Sequence, residues 1–377
     1  MPPRVLHVID NLDRGAVETW LVRMLEHAQK RGVPTDWTFY CTLDVPGALD
    51  DAVRQFGGRI VVSPFPLDRQ LGFARALRRE LQLGGYDVLH CHHDLVSGLY
   101  LAAAAGLSLR RRIVHIHNAD ENVLTGNPYK KPIYRSLLRR VCLRQADRII
   151  GISNHTLDTF LAGRSRSSER DQVHYYGIAS SPLDKPAPDR EAFRRRLNVP
   201  EDALIVLFAG RIVPEKNPVF TIDVLSRLLA REPRAVAVFA GSGSLESAVV
   251  ERAGALGVRE RVRMLGWCSD VHEIMRCADW FILARPEHPM EGFGIAVVEA
   301  QLAGLRLLLS HGIADDPLLP TACFRRLSLK DSPDLWADAA VELWKAPAPS
   351  KEAALQALRA SPMDMDAALE DMMRLHG

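Results

Sequence analysis

Residues 287–304 read EHPMEGFGIAVVEAQLAG, with Glu291 and Glu299 on either side of a Gly-Phe-Gly turn. The apolar run at 280–283 predicts a buried strand, and the run at 295–302 predicts a helix. Glycines in such a turn let a ligand approach the main chain, and the N–H groups at a helix start attract anions. Carboxylates accept hydrogen bonds from sugar hydroxyls. The stretch therefore indicates either a turn that binds a sugar next to an anion or an ordinary helix with an exposed glutamate at each end.

The length of 377 residues is enough for two domains, each with its own hydrophobic core. Six cysteines are scattered without a Cys-x-x-Cys pair, which argues against a disulfide framework and indicates a reducing compartment. The N-terminus enters an apolar strand without a basic-then-apolar leader, so we expect a cytoplasmic protein. The longest apolar stretch, near 99–109, is too short to span a bilayer.

The net charge of +2 hides an asymmetry between the two halves of the chain. Residues 1–185 carry 25 basic and 19 acidic side chains, whereas the remainder carries 23 and 27. Much of the excess lies in residues 110–148, where Leu137, Leu138, Val141 and Cys142 add an apolar stripe at helical spacing. Such a helix either lies on an anionic membrane surface or packs against the core with its basic face in solvent. Nucleic acid is not expected, because no aromatic residues interleave with the arginines.

Apolar runs alternate with helical patterns along both halves, which predicts α/β domains with parallel sheets. The expected strands are 4–9, 37–41, 59–62, 88–91, 113–117, 148–152, 204–209, 236–240, 262–264, 280–283 and 306–309. The expected helices are 17–30, 48–56, 71–83, 96–105, 133–145, 220–232, 245–255, 271–277 and 295–302, with two or three more within 332–375. Residues 180–189, SSPLDKPAPD, read as a linker. We therefore expect domains at 1–182 and 190–345, facing each other across a cleft, with helices of 346–377 packing back across them.

Charged residues and glycines follow several expected strands, where ligands of parallel sheets collect. Gly15 and Glu18 follow the first strand, although plain turn geometry explains that pair equally well. Arg211 and Lys216 bracket the turn GRIVPEKNP at 210–218. Two cations at the mouth of a sheet suit a diphosphate, because arginine binds it in bidentate fashion and lysine neutralises its charge.

The turn GSGSLE at 241–246 contains Gly241 and Gly243 but has Glu246 where a dinucleotide fingerprint has its third glycine. A standard NAD site is therefore rejected. The sequence also has no Gly-x-Ser-x-Gly elbow and no Walker loop. The pair Asp364 and Asp366 has an Asp-x-Asp spacing but lies in the helical tail, so we assign it to a helix start and predict no metal site there.

Five histidines stand at two strand ends of the first half: His90, His92, His93, His115 and His117. Strand-end histidines act as acid–base groups or as metal ligands. Zinc ligation stays open, but no cysteine or carboxylate lies at a familiar ligand spacing. His117 is last in its strand and is the one we expect to reach a cleft, while His90 and His115 are expected in the core.

Several motifs resemble the family 4 glycosyltransferases of the GT-B fold, in this order and spacing over nearly the whole chain. The second half carries the more specific ones, GRIVPEKNP, AGSGSLE, LGWCSDVHEIMRCADWFI and EGFGIAVVEAQLAG. The first half is similar in NLDRGAVE, DVLHCHHDLVSG and RRRIVHIHNADEN. The tail resembles the exopolysaccharide and capsule subgroup in LLLSHGIADDPLLP and LSLKDSPDLWADAAVELW. The chain departs from the family at residues 285–289, RPEHP, where a serine is usual.

The resemblance implies a metal-independent retaining transfer of a sugar from a nucleotide diphosphate, with UDP favoured, to an acceptor hydroxyl. It assigns Arg211, Lys216 and Gly15 to the diphosphate and His117 to the donor sugar near its reacting carbon. The remaining donor contacts that it implies are Glu291, Gly292, Phe293, Gly294 and Ile295 for the sugar, Glu299 for the ribose, Gly266, Trp267 and Cys268 for the base, and the turn glycines Gly241 and Gly243.

The resemblance and the basic first half together suggest a glycan or lipid-linked oligosaccharide acceptor at the inner face of a membrane, with no cofactor besides the nucleotide sugar. Two other functions stay open. A nonenzymatic nucleotide-sugar-binding scaffold of a polysaccharide assembly complex would keep the fold and tolerate changes at His117 and Glu291. A nucleotide-sugar epimerase of similar architecture would act on the donor without an acceptor.

Overall fold

The structure is a computed structural model that describes residues 1–118, 131–180 and 188–377. The chain forms two compact units. The first contains residues Met1–Gly177 together with Pro362–Gly377, and the second contains Ile178–Ser361. The last helix thus belongs to the first unit although it follows the second in sequence. Most of the linker predicted at 180–189, and the end of the motif RRRIVHIHNADEN, lie outside the described residues.

Each unit is built on one parallel sheet, as the alternation of strands and helices predicts. The seven-stranded sheet of the first unit has the order β3-β2-β1-β4-β5-β6-β7, and the six-stranded sheet of the second has the order β10-β9-β8-β11-β12-β13. The strands are β1 Arg4–Ile9, β2 Asp36–Cys41, β3 Arg59–Val62, β4 Val88–Cys91, β5 Arg111–Ile116, β6 Arg148–Gly151, β7 Asp171–Val173, β8 Leu204–Ala209, β9 Ala235–Ala240, β10 Val262–Met264, β11 Trp280–Leu283, β12 Arg306–Ser310 and β13 Phe324–Leu327.

The helices occupy the segments between the strands and the C-terminal tail. They are α1 Ala16–Lys30, α2 Asp50–Gln55, α3 Gln70–Gly84, α4 Ser97–Ala103, α5 Lys131–Gln145, α6 Asn154–Leu161, α7 Arg190–Arg196, α8 Pro218–Leu228, α9 Glu246–Ala255, α10 Val271–Cys277, α11 Ile295–Leu302, α12 Pro333–Lys345, α13 Lys351–Arg359 and α14 Met365–His376. None of these described helices is both long enough and apolar enough to cross a bilayer.

The central strands are buried along their whole length, as expected for parallel sheets that are covered on both faces. All six residues of β8 and all six of β9 are buried. Their sequences, LIVLFA and AVAVFA, are therefore continuous apolar runs rather than alternating patterns. This continuity is why the sequence alone locates both strands within one residue.

Two short strands, β7 and β13, were not predicted. Each lies at the edge of its sheet and pairs on one side only. Edge strands tolerate polar and charged side chains, so β7 reads DQV and β13 reads FRRL and neither carries an apolar run. Helices α6 and α7 were also missed. They are short and begin at side-chain caps, Ser153 for α6 and Asp189 for α7.

The strand order reverses beside β1 in the first sheet and beside β8 in the second. β1 lies between β2 and β4, and β8 lies between β9 and β11. At such a switch point the two following connections leave in opposite directions, which opens a crevice at the carboxyl ends of the strands. A ligand site is therefore expected at β1 and β4 in the first unit and at β8 and β11 in the second.

Two helical glycines provide a test of the packing. A Cβ added at Gly98 in α4 would lie 2.6 Å from the main-chain oxygen of Leu138 in α5, whereas one added at Gly254 in α9 would meet nothing within 4 Å. Gly98→Ala should lower the free energy of unfolding by about 1–3 kcal/mol, because backbone must move apart. Gly254→Ala, the matched control, should raise it by about 0.5–1 kcal/mol through helix propensity. Denaturant unfolding measures both values, and a stabilising Gly98→Ala would contradict the α4–α5 contact.

Candidate functional site

The second unit has a charged cluster at the β8 and β11 switch point. Lys216 ends the short 3-10 helix Pro214–Lys216 that follows β8, and Arg285 comes two residues after β11. Glu291 lies in the loop between β11 and α11. The strand order therefore brings together residues that are 75 positions apart in the sequence.

The Glu291 carboxylate bonds to two cations. Its Oε2 accepts hydrogen bonds from Lys216 Nζ at 2.5 Å and from Arg285 Nη1 at 3.1 Å. The three side chains are 14%, 18% and 12% exposed, so the cluster is largely shielded from water. The main chain holds Glu291 as well, because its N–H donates to the carbonyl of Gly312 at 2.8 Å. Arg285 is held in place by a hydrogen bond that its Nε donates to the carbonyl of Pro289 at 3.0 Å.

The cluster carries more positive than negative charge. Burial by itself would raise the pKa of Glu291, but the charges of Lys216 and Arg285 outweigh it and hold that pKa below its usual value. Burial also lowers the pKa of Lys216, and the nearby charges of Arg285 and Arg211 lower it further against the opposing effect of Glu291. Because one carboxylate bonds to two cations and a third, Arg211, lies close enough to affect Lys216, a bound anion would be attracted to this place.

Arg211 differs from Lys216 in its surroundings. It lies two residues after β8 and is exposed, and within the described part of the chain no hydrogen bond or ion pair holds its side chain. The two cations predicted for the diphosphate thus lie in the same region, but only Lys216 is tied to Glu291. Arg285, the cation that does join it, was missed. Its signal was the departure from the family pattern at residues 285–289.

The turn after Glu291 has the geometry that its sequence predicts. Phe293 is 1% exposed and anchors the turn in the core. Gly294 caps α11 in the left-handed region, at φ 89°, where a side chain would be strained. The turn residue Gly292 and the first helical residue, Ile295, are both partly exposed. The N-terminus of α11 therefore meets solvent next to the charged cluster.

Glu299 lies in α11, eight residues after Glu291 in the sequence. Its side chain is 10% exposed, and its Oε1 lies 3.6 Å from Nε2 of His272 at the start of α10. A partly enclosed carboxylate is a good acceptor for hydroxyl groups. The structure thus places both predicted glutamates in partly enclosed positions, which disfavours the ordinary exposed helix.

The glycine turns after β9 and β10 pack directly on one another. Gly241 donates its N–H to the carbonyl of Gly266 at 2.7 Å. A Cβ at Gly241 would lie 2.0 Å from the main-chain oxygen of Gly210, so no other residue fits there. Trp267 is 56% exposed, while the Cys268 thiol donates to the Gly266 carbonyl at 3.4 Å.

Gly243 lies in the same region and also approaches main chain. A Cβ at this residue would lie 2.3 Å from the main-chain oxygen of Ile212. Its own N–H donates to Oε1 of Glu246 at 2.8 Å. The carboxylate thus binds an N–H group that a phosphate would need in a dinucleotide turn. This contact is a physical reason for rejecting a standard NAD site.

The first unit has a cavity of about 540 Å³ at its own switch point. Its lining combines acids, histidines and apolar side chains: Ile9, Asp10, Val17, Glu18, Leu67, His92, His93, Asp94, Val96, His117 and Asn118. Gly15 caps α1 nearby. Burial, together with the charges of Asp10 and Asp13, raises the pKa of Glu18 to about 7. This carboxyl group therefore exchanges its proton near neutral pH.

His117 lines this cavity, but both of its ring nitrogens already have partners. Nε2 lies 3.0 Å from Nδ1 of His92, and Nδ1 lies 2.8 Å from the hydroxyl of Tyr176. Burial and the neighbouring histidines His93 and His174 lower the pKa of His117 to about 3. The ring is therefore neutral at physiological pH and is held in one orientation. His90 and His115 are fully buried, as predicted.

Two further histidines contact these strand-end histidines and were not predicted: His7 in β1 and His376 at the end of α14. Nothing in the sequence of β1 marked His7 as a functional residue, apart from its position in a buried strand. His376 is separated from His90 by 286 residues, and only folding brings them together. The Asp-x-Asp pair is helix-start chemistry, as predicted, because Asp364 accepts the N–H of Asp366 at 3.0 Å.

Two family models match most of the described chain. The model of "Glycosyltransferase Family 4" matches residues 17–179, and that of "Glycosyl transferases group 1" matches residues 189–313. EpsF of Bacillus subtilis (strain 168), which is named as a glycosyltransferase, is 28% identical over 356 residues, covering 93% of this chain and 90% of its own. A D-inositol 3-phosphate glycosyltransferase of Geodermatophilus obscurus is 27% identical over 326 residues, covering 78% and 69%.

Solved structures of the same fold match nearly the whole chain. Anabaena Alr3699/HepE in complex with UDP has a TM-score of 0.78 at 18% identity and covers 98% of both chains. Its complex with UDP-glucose has a TM-score of 0.76 at 17% identity, covering 99% of this chain and 98% of that one. WaaG, a glycosyltransferase involved in lipopolysaccharide biosynthesis, has a TM-score of 0.71 at 17% identity and covers 98% and 99%. At these identities the likeness shows the fold.

The charged cluster gives a stability prediction. Glu291→Gln should lower the free energy of unfolding by about 3 kcal/mol, because it leaves the buried Lys216 and Arg285 without their counter-charge. Glu287→Gln is the matched control. The Glu287 side chain is 51% exposed, and its distance of 3.7 Å to His311 is that of a surface pair, so its change should stay within about 0.5 kcal/mol. Equal unfolding curves for the two variants would rule out Glu291 as the centre of the cluster.

Proposed function

Since this chain belongs to the family 4 glycosyltransferases and has the GT-B fold, we propose that it transfers a sugar from UDP to an acceptor hydroxyl with retention at the anomeric carbon. The glycosyltransferase activity follows from the family. The choice of UDP is supported by Alr3699/HepE, whose structures contain UDP and UDP-glucose. The acceptor would be a glycan of polysaccharide or glycoconjugate biosynthesis, in keeping with the tail motifs and with WaaG, which is involved in lipopolysaccharide biosynthesis.

The surplus of positive charge around Glu291 is the observation that carries this proposal. Lys216 and Arg285 share one carboxylate at the carboxyl ends of β8 and β11, and the charge of the exposed Arg211 acts on Lys216. A diphosphate placed there would gain two charges from the cluster without displacing Glu291. Stabilising the charge that develops on the leaving group is the largest electrostatic task in such a transfer. Side-chain cations would do this work, so we assign no metal ion to the donor site.

The donor sugar and nucleoside would occupy the turns on either side of this charge. Both cations use Oε2 of Glu291, so Oε1 would accept a hydroxyl of the sugar. The main chain of residues 292–295 would donate to other hydroxyls from the N-terminus of α11. Glu299 would accept the ribose hydroxyls, and the turn of residues 266–268 would meet the base. The close glycine packing at Gly241 and Gly243 would keep that side of the site narrow.

The reaction would proceed on one face of the sugar without a protein nucleophile. The bond between the anomeric carbon and the diphosphate oxygen breaks, and its electron pair stays with UDP. The acceptor oxygen forms the new bond to the same face, and its proton passes to the departing phosphate. Lys216 and Arg211 would stabilise the developing negative charge.

His117 would contribute shape rather than proton transfer. Its two ring nitrogens are bonded to His92 and Tyr176, and its low pKa keeps the ring neutral. A rigid neutral ring that lines the cavity of the first unit can pack against a sugar without attracting a proton. The acidic cavity beside it, which includes Asp10 and Glu18, suits acceptor hydroxyl groups rather than an acceptor phosphate.

Helix α5 supports a peripheral contact with an anionic membrane, which would bring the enzyme to a lipid-linked acceptor. Leu138 and Cys142 are buried, as expected for a helix that packs against the core. Ile133 and Leu137, however, are 73% and 55% exposed and lie one turn apart. The same helix also carries four arginines. An exposed apolar pair within a basic helix is the arrangement that binds at the surface of a bilayer.

The donor site is tested by thermal shift with UDP, GDP and ADP and with their sugars. UDP should raise the melting temperature because a ligand that binds only the folded state stabilises it by mass action. Lys216→Ala should abolish the shift, whereas Lys345→Ala, an exposed lysine at the end of α12, should leave it unchanged. An undiminished shift in Lys216→Ala would remove the diphosphate assignment. Donor hydrolysis and transfer assays, with and without acceptor glycans, then separate a transferase from an epimerase and from a binding scaffold.

The membrane contact is tested with liposomes that contain anionic lipid at low salt. Wild-type protein should sediment with them. The double variant Ile133→Glu/Leu137→Glu should bind the liposomes about tenfold more weakly, because its two carboxylates would have to enter the bilayer surface. Leu335→Glu is the control, since Leu335 is also an exposed helical leucine but has acidic neighbours. Equal sedimentation of all three proteins, or none by the wild type, would refute the contact.

A further inference from the structure

Six histidines form a cluster in the interior of the first unit, which we call the imidazole cluster: His7, His90, His92, His115, His117 and His376. Four of them, at positions 7, 90, 115 and 376, have no exposed surface. The parallel register explains the grouping, because His7 pairs with His90 across β1 and β4 and the alternation of strand side chains brings the others to the same face. The proposed donor chemistry uses only His117 among them.

Three members present nitrogen atoms to a common point. His90 Nδ1 lies 3.0 Å from His376 Nε2. One ring nitrogen from each of His7, His90 and His376 lies within 4.8 Å of the others. Zn²⁺ binds imidazole nitrogen at about 2.0–2.1 Å, so two such ligands on a tetrahedral ion are about 3.3 Å apart. The first pair already has nearly this spacing, and a movement of about 1 Å by the third ring would complete a triad.

Two of the three rings, His7 and His90, have outer hydrogen bonds of the kind that metal-binding histidines need. His7 Nδ1 lies 3.0 Å from His92 Nε2, and His90 Nε2 lies 3.2 Å from His115 Nδ1. A ligating histidine usually donates its second N–H to a neighbouring acceptor, which fixes its tautomer and orientation. His92 and His115 are such acceptors for His7 and His90. The nitrogens His7 Nε2 and His90 Nδ1 are then the unprotonated atoms that point to the centre.

Three buried ring nitrogens of the imidazole cluster lack a hydrogen-bond partner among the described residues: His7 Nε2, His115 Nε2 and His376 Nδ1. Of these three, only His7 Nε2 would be a ligand atom of the triad. Leaving a buried polar atom unsatisfied costs about 1–3 kcal/mol. A metal ion would use its lone pair directly. The same holds for the lone pairs of His90 Nδ1 and His376 Nε2, which otherwise share a single proton.

We propose that His7, His90 and His376 bind one late first-row transition-metal ion, with Zn²⁺ as the reference case. Imidazole donors suit Zn²⁺, Cu²⁺ and Ni²⁺, whereas Mg²⁺ and Ca²⁺ require oxygen ligands. The three ligands are neutral, so a hydroxide or another small anion would take the fourth position and compensate part of the charge. Nothing in the proposed sugar transfer depends on this ion.

The ion would act as a structural clamp. His7 and His90 belong to the central strands of the first sheet, whereas His376 is the last helical residue of α14. A bond through the metal would tie the C-terminal helix to the sheet. The helix is already held by His27 Nε2, 2.7 Å from Asp366 Oδ1, and by His174 Nδ1, 2.6 Å from Asp371 Oδ2. A metal site at its far end would prevent that end from fraying.

The experiment uses the full chain, expressed with added Zn²⁺ and purified without a polyhistidine tag. Elemental analysis after dialysis should find about one transition-metal ion per chain. His376→Gln should reduce the content about tenfold or more, because it removes a ligand while keeping a polar side chain. His311→Gln, an exposed histidine of the second unit, is the matched control and should keep the wild-type content. A chelator should lower the melting temperature of the wild type, and Zn²⁺ should restore it.

A measurement on the wild type alone keeps the proposal falsifiable if His376→Gln does not fold. Protein loaded with Co²⁺ should show the visible absorption of a tetrahedral nitrogen-ligated ion. The proposal is overturned if the wild type contains less than about a tenth of an equivalent of any transition metal and Zn²⁺, Ni²⁺ and Cu²⁺ leave its melting temperature unchanged. The rings would then be joined by N–H···N hydrogen bonds. Loss of metal without loss of UDP binding would separate this site from the donor site.

Discussion

The second unit depends on one buried carboxylate that faces more than one cation. Glu291 bonds to both Lys216 and Arg285, and its own N–H is held by Gly312. A carboxylate and a single cation would form a closed pair with little attraction for a further anion. Here the extra cation leaves the cluster short of negative charge, while burial keeps water from screening it. The arrangement is stable enough to persist and still favours an anionic ligand.

The strand order explains why this charged cluster lies at the edge of the sheet, where a ligand can reach it. Lys216 follows β8 and Arg285 follows β11, and these neighbouring strands are the ones beside which the sheet changes direction. Glycines then bring main chain to the same edge. Gly241 leaves no room for a Cβ against Gly210, and Gly294 starts α11 in a left-handed conformation. One topology therefore produces the charged cluster, the exposed N-terminus of α11 and the narrow glycine turns.

The first unit uses the same topology for different chemistry. Its strand ends carry acids and histidines instead of cations, so the cavity beside β1 and β4 suits hydroxyl groups. Behind that cavity the imidazole cluster occupies a place that aliphatic side chains would normally fill. Burying so many polar rings is costly unless their nitrogens are satisfied. Hydrogen bonds satisfy His92 and His117, and a metal ion would use the lone pairs of His7 Nε2, His90 Nδ1 and His376 Nε2.

The sequence by itself determined the two parallel sheets, because strands such as LIVLFA are buried on both faces and appear as uninterrupted apolar runs. It also determined the turn between Glu291 and α11, because glycines adopt the backbone conformations that such a turn requires. Contacts between distant segments could not be predicted. Lys216 reaches Glu291 across 75 residues, and His376 reaches His90 across 286 residues, only because strand order and helix docking bring them together. Local patterns encode local geometry, whereas the pairing of charges and rings depends on which strands become neighbours.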